Sequence, residues 1–530
     1  MSSEMNHLLG LAVAGRMSRR EFVGRAGAMG MSAAMAGTLL STAAFAEDAP
    51  VKGGVIRAGV QGGQSTDSLD PALAASPAPF LIHSTWGETL VEVSEKNEVV
   101  MRLATEVSSN KDATQWKFTI RKGVKYHNGA VMTADDVIAT LKRHTNEASK
   151  SGALGIVKGI SDMKADGDTV TLTLSGPNAD LPYLMADYHL IIQPGGGVDK
   201  PDAGIGTGPY KVASFDPGVR CAFDRHADYW DAERGHADTV EILVINDNTA
   251  RTAALQSGQV HMIDRVDPKI VDLLKGSTGI SIKSAAGRGH YLFLMECTKP
   301  PFDNNDLRMA LKLSIQRKEM LDKILGGLGT VGNDFPINAA YPLFDTTIAQ
   351  REYDLAAATA AYKKSGHDGS PIILQVAPGA FPGAVEAAQL FVQSANAAGI
   401  PLQVKLEPDD GYWTNVWNVA PFCASYWGGR AVQDQMYSTA YQSTADWNDT
   451  KFISKQFDDL LLSARGELDQ AKRKTEYSEM ANLVRDTGGA IIPMFNDWVE
   501  AVSDKVGGWL VDGGQELMNG KALQKCWVKI

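Results

Sequence analysis

Cysteine is scarce in this chain, and its four copies lie in no metal-binding pattern. Cys221, Cys297, Cys423 and Cys526 form no C-x-x-C pair and no Cys/His cluster. A metal centre is therefore not expected, and no residue is predicted to ligate a metal. Spacing alone does not fix the pairing of cysteines, so a Cys297–Cys423 disulfide and a set of buried free thiols are both compatible with the sequence.

Positive charge is also in short supply. The chain has 51 lysines and arginines against 62 aspartates and glutamates, which gives a formal net charge of −11. Sequence-independent binding to nucleic acid needs clustered basic residues that displace counterions, and binding to an anionic membrane surface needs a basic amphipathic face. The charge balance argues against both, so no nucleic-acid or membrane-surface partner is predicted.

The signature motifs of common enzyme classes are missing as well. The chain has no G-x-S-x-G, H-E-x-x-H or G-x-x-x-x-G-K-[ST] motif, and no G-x-G-x-x-G after a predicted strand. Its ten histidines are dispersed. The carboxylate pairs Asp135-Asp136 and Asp409-Asp410 are typical of a helix cap and of a solvated turn. We therefore predict neither catalytic residues nor a cofactor.

The pattern of residues in the N-terminal segment predicts an export signal. Paired Arg19-Arg20 precede an uncharged run of small and apolar residues over 26–45, and Ala44-Phe45-Ala46 has the form of a cleavage site. The alternative is a buried or membrane-spanning helix, but the glycines in this run make it weakly hydrophobic. The double arginine resembles the twin-arginine signal, which a receptor reads. Cleavage after Ala46 would leave a chain of net charge −13 in the periplasm.

The remainder has the periodicities of an α/β protein with more than one core. Alternating apolar residues predict strands, and Thr133 and Asp136 have the spacing of a capping box. Alternation of strands and helices over 372–406 favours lobes with mixed sheets. The predicted strands include 55–60, 116–120 and 240–244, and the predicted helices are 137–144, 354–364, 383–398, 468–486 and one long helix from the Asn304 cap through Leu325.

Five blocks of sequence, in order, resemble one known family. They are Trp116–Gly129, Met132–Val137, Gly206–Trp230, Thr252–Ile263 and the pair Pro300–Asp303 with Leu307–Leu311. Their spacing is similar to that of the solute-binding proteins of peptide/nickel-type ABC importers, known as family 5. Several blocks in the correct order are far more specific than a single short motif.

This resemblance implies a two-lobed periplasmic binding protein fold of type II, in the large class with an extra subdomain. By analogy, lobe I comprises residues 47–80, 205–288 and 500–530, with an inserted subdomain over 81–204. Lobe II comprises residues 289–499. The resemblance also implies a monomer that closes around a small-molecule ligand and delivers it to permease subunits in the cytoplasmic membrane, which work with a cytoplasmic ATPase.

The resemblance places the ligand near the segment Ser425–Arg430. Family members usually read Trp-x-x-Asp here, and the acid pairs with the amino group of a bound peptide. Trp427 matches the tryptophan, whereas Arg430 stands in place of the acid. A guanidinium suits a carboxylate or phosphate instead, and Gly429 would let backbone N–H groups approach an anion. The alternative is that Arg430 only pairs with Asp434.

Other candidate contacts are less specific. Tyr426 and Trp413 are aromatic neighbours that pack in a core as readily as against a ligand. Ser65 and Thr66, in the glycine-rich loop after the first strand, either donate to a ligand or form a turn. Arg288 is either a second anion contact or part of a salt bridge between the lobes. The predicted ligands are opine-like compounds or amino-acid conjugates, then short peptides, then anionic glycosides. A nickel-type metal chelate is the alternative, and His290 would be its first contact to test.

Overall fold

The structure is a computed structural model that describes residues 49–529, except 75, 147, 149, 409–411 and 446. The predicted export signal and its cleavage site therefore lie outside the described residues. In the described part of the chain, no helix is both long and apolar enough to cross a membrane.

Nineteen strands are assigned within the described residues, and most are short. Only two of them, β12 and β17, exceed ten residues. The strands are β1 Val55–Val60, β2 Val91–Val93, β3 Val99–Met101, β4 Ala104–Ser109, β5 Gln115–Ile120, β6 Ile160–Asp166, β7 Thr169–Leu174, β8 Tyr210–Asp216, β9 Arg220–Arg225, β10 Thr239–Val244, β11 Met262–Ile263, β12 Ile280–Met295, β13 Gly329–Val331, β14 Ile372–Val376, β15 Leu402–Leu406, β16 Phe422–Trp427, β17 Ala490–Ser503, β18 Val506–Gly507 and β19 Trp527–Val528.

The helices alternate with these strands along the chain. They are α1 Pro77–Trp86, α2 Ala134–Thr145, α3 Leu154–Val157, α4 Leu181–Leu184, α5 Asn248–Gln256, α6 Val271–Lys275, α7 Asn305–Leu313, α8 Arg317–Leu325, α9 Leu355–Ser365, α10 Ala384–Ala397, α11 Tyr412–Asn415, α12 Gln433–Ala440, α13 Lys455–Gly466, α14 Gln470–Thr487 and α15 Ala522–Lys525. A further turn, Glu516–Asn519, contains left-handed φ and ψ values at Leu517 and Met518.

One mixed sheet connects the two halves of the molecule. Its strand order is β15-β14-β16-β12-β17-β11-β1-β10-β9-β8, with β13 on the side of β17. The strands before β12 lie at one end and those between β12 and β17 lie at the other, so the chain crosses the middle of the sheet through β12 and again through β17. The pairing of β12 with β17 is interrupted between Ala286 and His290.

Separate apolar cores surround this sheet. The largest contains buried residues between Leu292 and Phe495, and a second contains residues between Ile56 and Cys526 from the two chain ends. A third core, between Leu90 and Ile192, packs against the antiparallel sheet β4-β5-β7-β6. These cores account for the two-lobed α/β architecture, which confirms the predicted fold class. The exact lobe boundaries stay a prediction.

Most predicted elements form, with one clear error. The Thr133 side chain accepts from the Asp136 N–H and the Asp136 carboxylate accepts from the Thr133 N–H, so the predicted capping box opens α2. The single long helix predicted through Leu325 is wrong, because it divides into α7 and α8 at Ser314–Gln316. The Ser314 hydroxyl donates to the Leu311 carbonyl at 3.0 Å, which satisfies an acceptor at the end of α7.

The cysteines are free thiols. Cys221, Cys423 and Cys526 are buried and Cys297 is partly buried, and none is paired. The suggested Cys297–Cys423 disulfide is therefore wrong. Cys423 lies on β16 opposite Leu294 of β12, inside the largest core, where burial raises the pKa of its thiol above the usual range.

Candidate functional site

A cavity of about 540 Å³ is lined by residues from several separate parts of the chain. Its walls come from α1 and β2, from the segment 183–191, from the middle of β12 and β17, from the loop after β16 and from the segment 514–521. The loop after β16 follows Trp427 of the largest core, whereas Leu517 and Met518 belong to the second core, so both halves of the molecule enclose the cavity. Of the sequence-predicted residues, Arg288, Gly429 and Arg430 line it.

The main chain brings two of these residues into contact. Gly429 has a φ of +80°, and a β-carbon there would lie 2.5 Å from the Arg288 Cβ. Only glycine fits both the left-handed backbone and this close approach. The residues on either side of Arg288 are constrained too, because a β-carbon on Gly287 or Gly289 would lie 2.6 Å from Asn496. Glycines therefore hold Arg288 at the interruption of the β12–β17 pairing.

Arg288 is buried without a counter-ion. Its Nε donates to the Ala340 carbonyl at 2.9 Å, and its NH2 nitrogen donates to Asn97 Oδ1 at 2.9 Å. No carboxylate oxygen of the described residues lies within ion-pair distance of it, so the predicted alternative of a salt bridge is not observed. Burial lowers the pKa of its guanidinium, but arginine remains charged at physiological pH.

Arg430 has a similar environment. Its NH1 nitrogen donates to the Gly429 carbonyl at 2.6 Å, and its guanidinium lies 5.4 Å from the centre of the Trp427 ring. The suggested ion pair with Asp434 is not observed, because Asp434 accepts from Arg465 Nε at 3.0 Å. Arg430 thus also lacks a carboxylate partner among the described residues, and burial lowers the pKa of its guanidinium.

Tyr341 connects the two arginines and was missed by the sequence analysis. Its hydroxyl accepts from the Arg430 backbone N–H at 2.9 Å, and the Arg288 guanidinium lies 5.3 Å from the centre of its ring. Tyr341 is buried, which raises the pKa of its phenol to about 12. A neutral phenol at this position fixes the Arg430 backbone without supplying the counter-charge that the arginines lack.

Trp427 does not line the cavity, but its ring packs against the Arg430 guanidinium. Its side chain is 5% exposed, and its indole Nε1 donates to Asp449 Oδ2 at 3.1 Å. Trp417 Nε1 donates to the same oxygen at 3.1 Å. Burial raises the pKa of the Asp449 carboxyl to about 7. The Trp427 ring therefore contributes a cation–π contact with Arg430.

Tyr426, Ser65 and Thr66 do not line the cavity. Tyr426 is 51% exposed and occupies the strand position before Trp427, whose side chain points to the opposite face of the sheet. Ser65 and Thr66 are exposed and lie inside a turn closed by hydrogen bonds between Gln64 and Asp67. For Trp413 the structure places the backbone in α11 but does not describe the side chain.

Metal-binding groups are not assembled in the described part of the chain. No group of three or more His, Cys, Asp or Glu residues there is arranged to hold a metal ion. His290 is buried within the sheet, where its Nδ1 lies 3.4 Å from the Arg288 carbonyl and its ring packs 5.1 Å from Phe495. Burial lowers the pKa of this imidazole to about 4, so it is neutral. His290 does not line the cavity.

The carboxylates that line the cavity are already occupied. Glu92 forms an ion pair with Arg234, Glu516 forms one with Arg265, and the Asp187 carboxylate lies 2.6 Å from the His189 Nδ1. Three cations of the lining, Arg288, Arg430 and Lys521, have no carboxylate within 4 Å among the described residues. The cavity can therefore neutralise anions on a ligand, but it has no spare acid for an ammonium group.

Comparison with known proteins gives one family. Residues 98–449 match the model of the bacterial extracellular solute-binding proteins, family 5, middle region. A curated relative, di/tripeptide-binding protein 1 of Pseudomonas aeruginosa, is 24% identical over 428 residues, which cover 73% of this chain and 79% of the relative.

Solved structures share the fold. The periplasmic protein DppA of Helicobacter pylori in complex with the peptide STSA is 21% identical, has a TM-score of 0.71, and the match covers 91% of this chain and 99% of that one. AgaA of A. tumefaciens R10 in complex with agropinic acid is also 21% identical with a TM-score of 0.71, and the match covers 90% and 99%. These similarities establish the two-lobed fold.

Proposed function

The chain belongs to family 5 of the bacterial extracellular solute-binding proteins, and we propose that it captures a small anionic solute for an ABC importer. The ligand binds in the cavity between the two halves, and one of its carboxylates pairs with Arg430 and Arg288. The closed receptor then presents the solute to the permease, because a ligand stabilises the state for which it has higher affinity.

One observation carries this proposal. Two guanidinium groups, brought together by Gly429 and Tyr341, face one cavity and have no carboxylate partner among the described residues. A buried charge costs free energy unless it is paired, so the site is incomplete without an anion. Guanidinium forks match carboxylates with two parallel hydrogen bonds, which gives the contact geometric specificity.

The charges of the side chains that line the cavity also favour some ligand classes over others. A peptide offers an ammonium group at its N-terminus, and every carboxylate in the cavity lining already has a cationic or imidazole partner. Opine-like compounds also carry an amine, but their additional carboxylate fits the unpaired arginines better. Other acidic amino-acid conjugates fit for the same reason, and short peptides and anionic glycosides follow. Arg430 could also hold an anionic metal chelate, but the described residues provide no direct metal ligand.

The export route and partners follow from the same proposal. We infer that a twin-arginine signal directs the chain across the cytoplasmic membrane, that it is cleaved after Ala46, and that the mature receptor is a periplasmic monomer. Its partners are then the permease subunits and their cytoplasmic ATPase.

A thermal-shift screen tests the ligand class. The chain from Glu47 is melted with opines, other acidic amino-acid conjugates, di- and tripeptides, sugar acids and metal chelates. A ligand that binds only the folded state stabilises it by RT ln(1 + L/Kd), where L is the ligand concentration and Kd its dissociation constant, and so raises the melting temperature. We expect carboxylated non-peptide solutes to stabilise the protein and their amides to have little effect. Stabilisation by peptides alone, or equally by the amides, would contradict the proposal.

A further inference from the structure

The wall of the cavity opposite Arg430 contains a backbone turn of unusual conformation. Leu517, Met518 and Asn519 have φ values of +51°, +59° and +54°, and Gly520 follows at +71°. Left-handed backbone is costly for residues with a side chain, and three in succession are rare. Such conformations persist where the surrounding structure determines them, and they concentrate at functional sites.

Three contacts hold this turn in place. The Leu517 N–H donates to Glu500 Oε1 at 2.7 Å, and Glu516 forms an ion pair with Arg265. Gly520 packs so closely on α1 that a β-carbon would lie 2.8 Å from Phe80 Cζ and from Ser84 Oγ. Asn519 and Lys521, on either side of Gly520, line the cavity. The turn thus fixes the position of Lys521.

Lys521 is a cation with no hydrogen-bond or ion-pair partner in the described part of the chain. Its ammonium group forms no hydrogen bond with another described residue and has no carboxylate within 4 Å among them. Four charged side chains act on it, namely Glu92, Arg234, Arg102 and Lys525. Glu92 does not serve as its partner, because it pairs with Arg234 and lies 3.9 Å from both Arg102 and Lys525.

We infer that Lys521 binds a second anionic group of the ligand, so that the receptor selects dianionic solutes over monoanionic ones. This inference rests on the proposed function, in which the first anionic group pairs with Arg430 and Arg288. Arg430 follows Trp427 of the largest core, whereas Lys521 follows the turn at Leu517 and Met518 of the second core, so the two cationic walls belong to different halves of the molecule. A solute with one anionic group at each end would therefore neutralise both walls and join the two halves of the receptor. A lysine ammonium is a compact point charge that accepts a carboxylate or a phosphate.

The test compares pairs of probes that differ by one anionic group. One pair is N-acetyl-L-glutamate and N-acetyl-L-glutamine, which differ by one carboxylate and carry no ammonium, and the other is 6-phosphogluconate and gluconate. Dissociation constants are measured by calorimetry for the chain from Glu47 and for the variants Lys521→Met, Lys521→Gln and Arg430→Ala. Lys525→Met is the matched control, because it removes the same charge four residues away without changing the cavity lining.

We expect the unsubstituted protein to bind the dianionic member of at least one pair ten times more tightly, or more. Lys521→Met and Lys521→Gln should remove most of that difference. Their affinity for the probe with one anionic group should stay within twofold of that of the unsubstituted protein. Lys525→Met should keep the difference. The pair that responds identifies the second group as a carboxylate or a phosphate. Equal weakening of both members, or no effect of either Lys521 variant, would overturn the inference.

Arg430→Ala separates this inference from the proposed function. Suppose that Arg430→Ala weakens the binding of both members of a pair, whereas neither Lys521 variant changes the difference in affinity between the two members. The proposed anion receptor then stands, and only the role of Lys521 fails. If Arg430→Ala leaves every affinity unchanged, or if no probe binds the unsubstituted protein, both the proposed function and the role of Lys521 are wrong.

Discussion

A β-carbon at position 429 would lie 2.5 Å from the Arg288 Cβ and 2.9 Å from the Arg288 carbonyl oxygen. Gly429→Ala should therefore displace Arg288 and also force alanine into a left-handed backbone, which alone costs about 1–2 kcal/mol. We expect a lower melting temperature and weaker binding of carboxylated solutes. Gly428→Ala is the matched control, since a β-carbon there meets no atom within 4 Å. Equal tolerance of both substitutions would contradict the close packing.

Arg430→Ala should weaken binding of a carboxylated solute by about 2 kcal/mol or more, because a buried anion would lose its hydrogen-bonded partner. Arg430→Lys should restore only part of the affinity, since an ammonium cannot form the two parallel bonds of a guanidinium. Calorimetry measures both values. Arg220→Ala removes an exposed arginine of β9 and should bind normally. Unchanged affinity in Arg430→Ala would remove this residue from the site.

Affinity for a dianionic solute should fall at alkaline pH. Burial lowers the pKa of the Lys521 ammonium to about 8, despite the attraction of Glu92. A bound anion favours the protonated form, so affinity is constant below about pH 7 and falls as pH rises through 8, by up to about tenfold per pH unit. Lys521→Arg should remove this dependence because arginine stays charged. Calorimetry between pH 6.5 and 9.5 checks it, and a flat profile for the unsubstituted protein would contradict the role of Lys521.

Asp449 should make the folded state less stable as pH rises. Burial raises the pKa of its carboxyl to about 7, so the folded protein holds a proton that the unfolded chain releases above about pH 4. The free energy of unfolding therefore falls between pH 4 and 7, by at most about 1.4 kcal/mol per pH unit from this group.

Asp449→Asn should remove this contribution, since one amide oxygen can still accept from both Trp417 and Trp427. The melting temperature of the variant relative to the unsubstituted protein should rise from pH 5 to pH 7 and level off above it. Asp216→Asn changes an exposed aspartate and should show no such trend. A difference that does not vary with pH would show that Asp449 is ionised in the folded state.

Replacing Arg19-Arg20 by Lys-Lys should leave the uncleaved precursor in the cytoplasm, because the twin-arginine receptor reads the arginine pair. Cell fractionation followed by immunoblotting measures the distribution. Arg220→Lys, which lies outside the predicted signal, should not affect export. Normal export and cleavage of the Lys-Lys variant would contradict the twin-arginine prediction.

Local sequence patterns predicted much of the fold. The capping box at Thr133 and the strand–helix–strand unit over 372–406 depend on neighbouring residues, and the structure forms both. The division between α7 and α8 was missed because Ser314 and Ile315 continue the apolar periodicity, whereas the end of α7 depends on a side-chain hydrogen bond. The disulfide was mispredicted because spacing carries no information on the distance between Cys297 and Cys423.

The candidate site was predictable only where one segment carried it. Gly429 and Arg430 are adjacent to a matched tryptophan, and Arg288 lies at the predicted crossing between lobes. Tyr341 and Lys521 reach the cavity through tertiary contacts from distant parts of the chain, so no periodicity marked them. The only local signal was the Asn519-Gly520 dipeptide, which is typical of a turn and says nothing about a binding wall.

The interruption of the β12–β17 pairing has a mechanical consequence. The chain crosses between the two halves through β12 and β17, so we expect a change in the angle between the halves to be absorbed where the pairing of these strands is interrupted. Here that point is Gly287–Gly289, with Arg288 at its centre. Arg288, which we propose pairs with an anionic group of the ligand, therefore lies at the expected hinge. Ligand binding and closure of the two halves would then involve the same side chain, and no separate relay between them would be required.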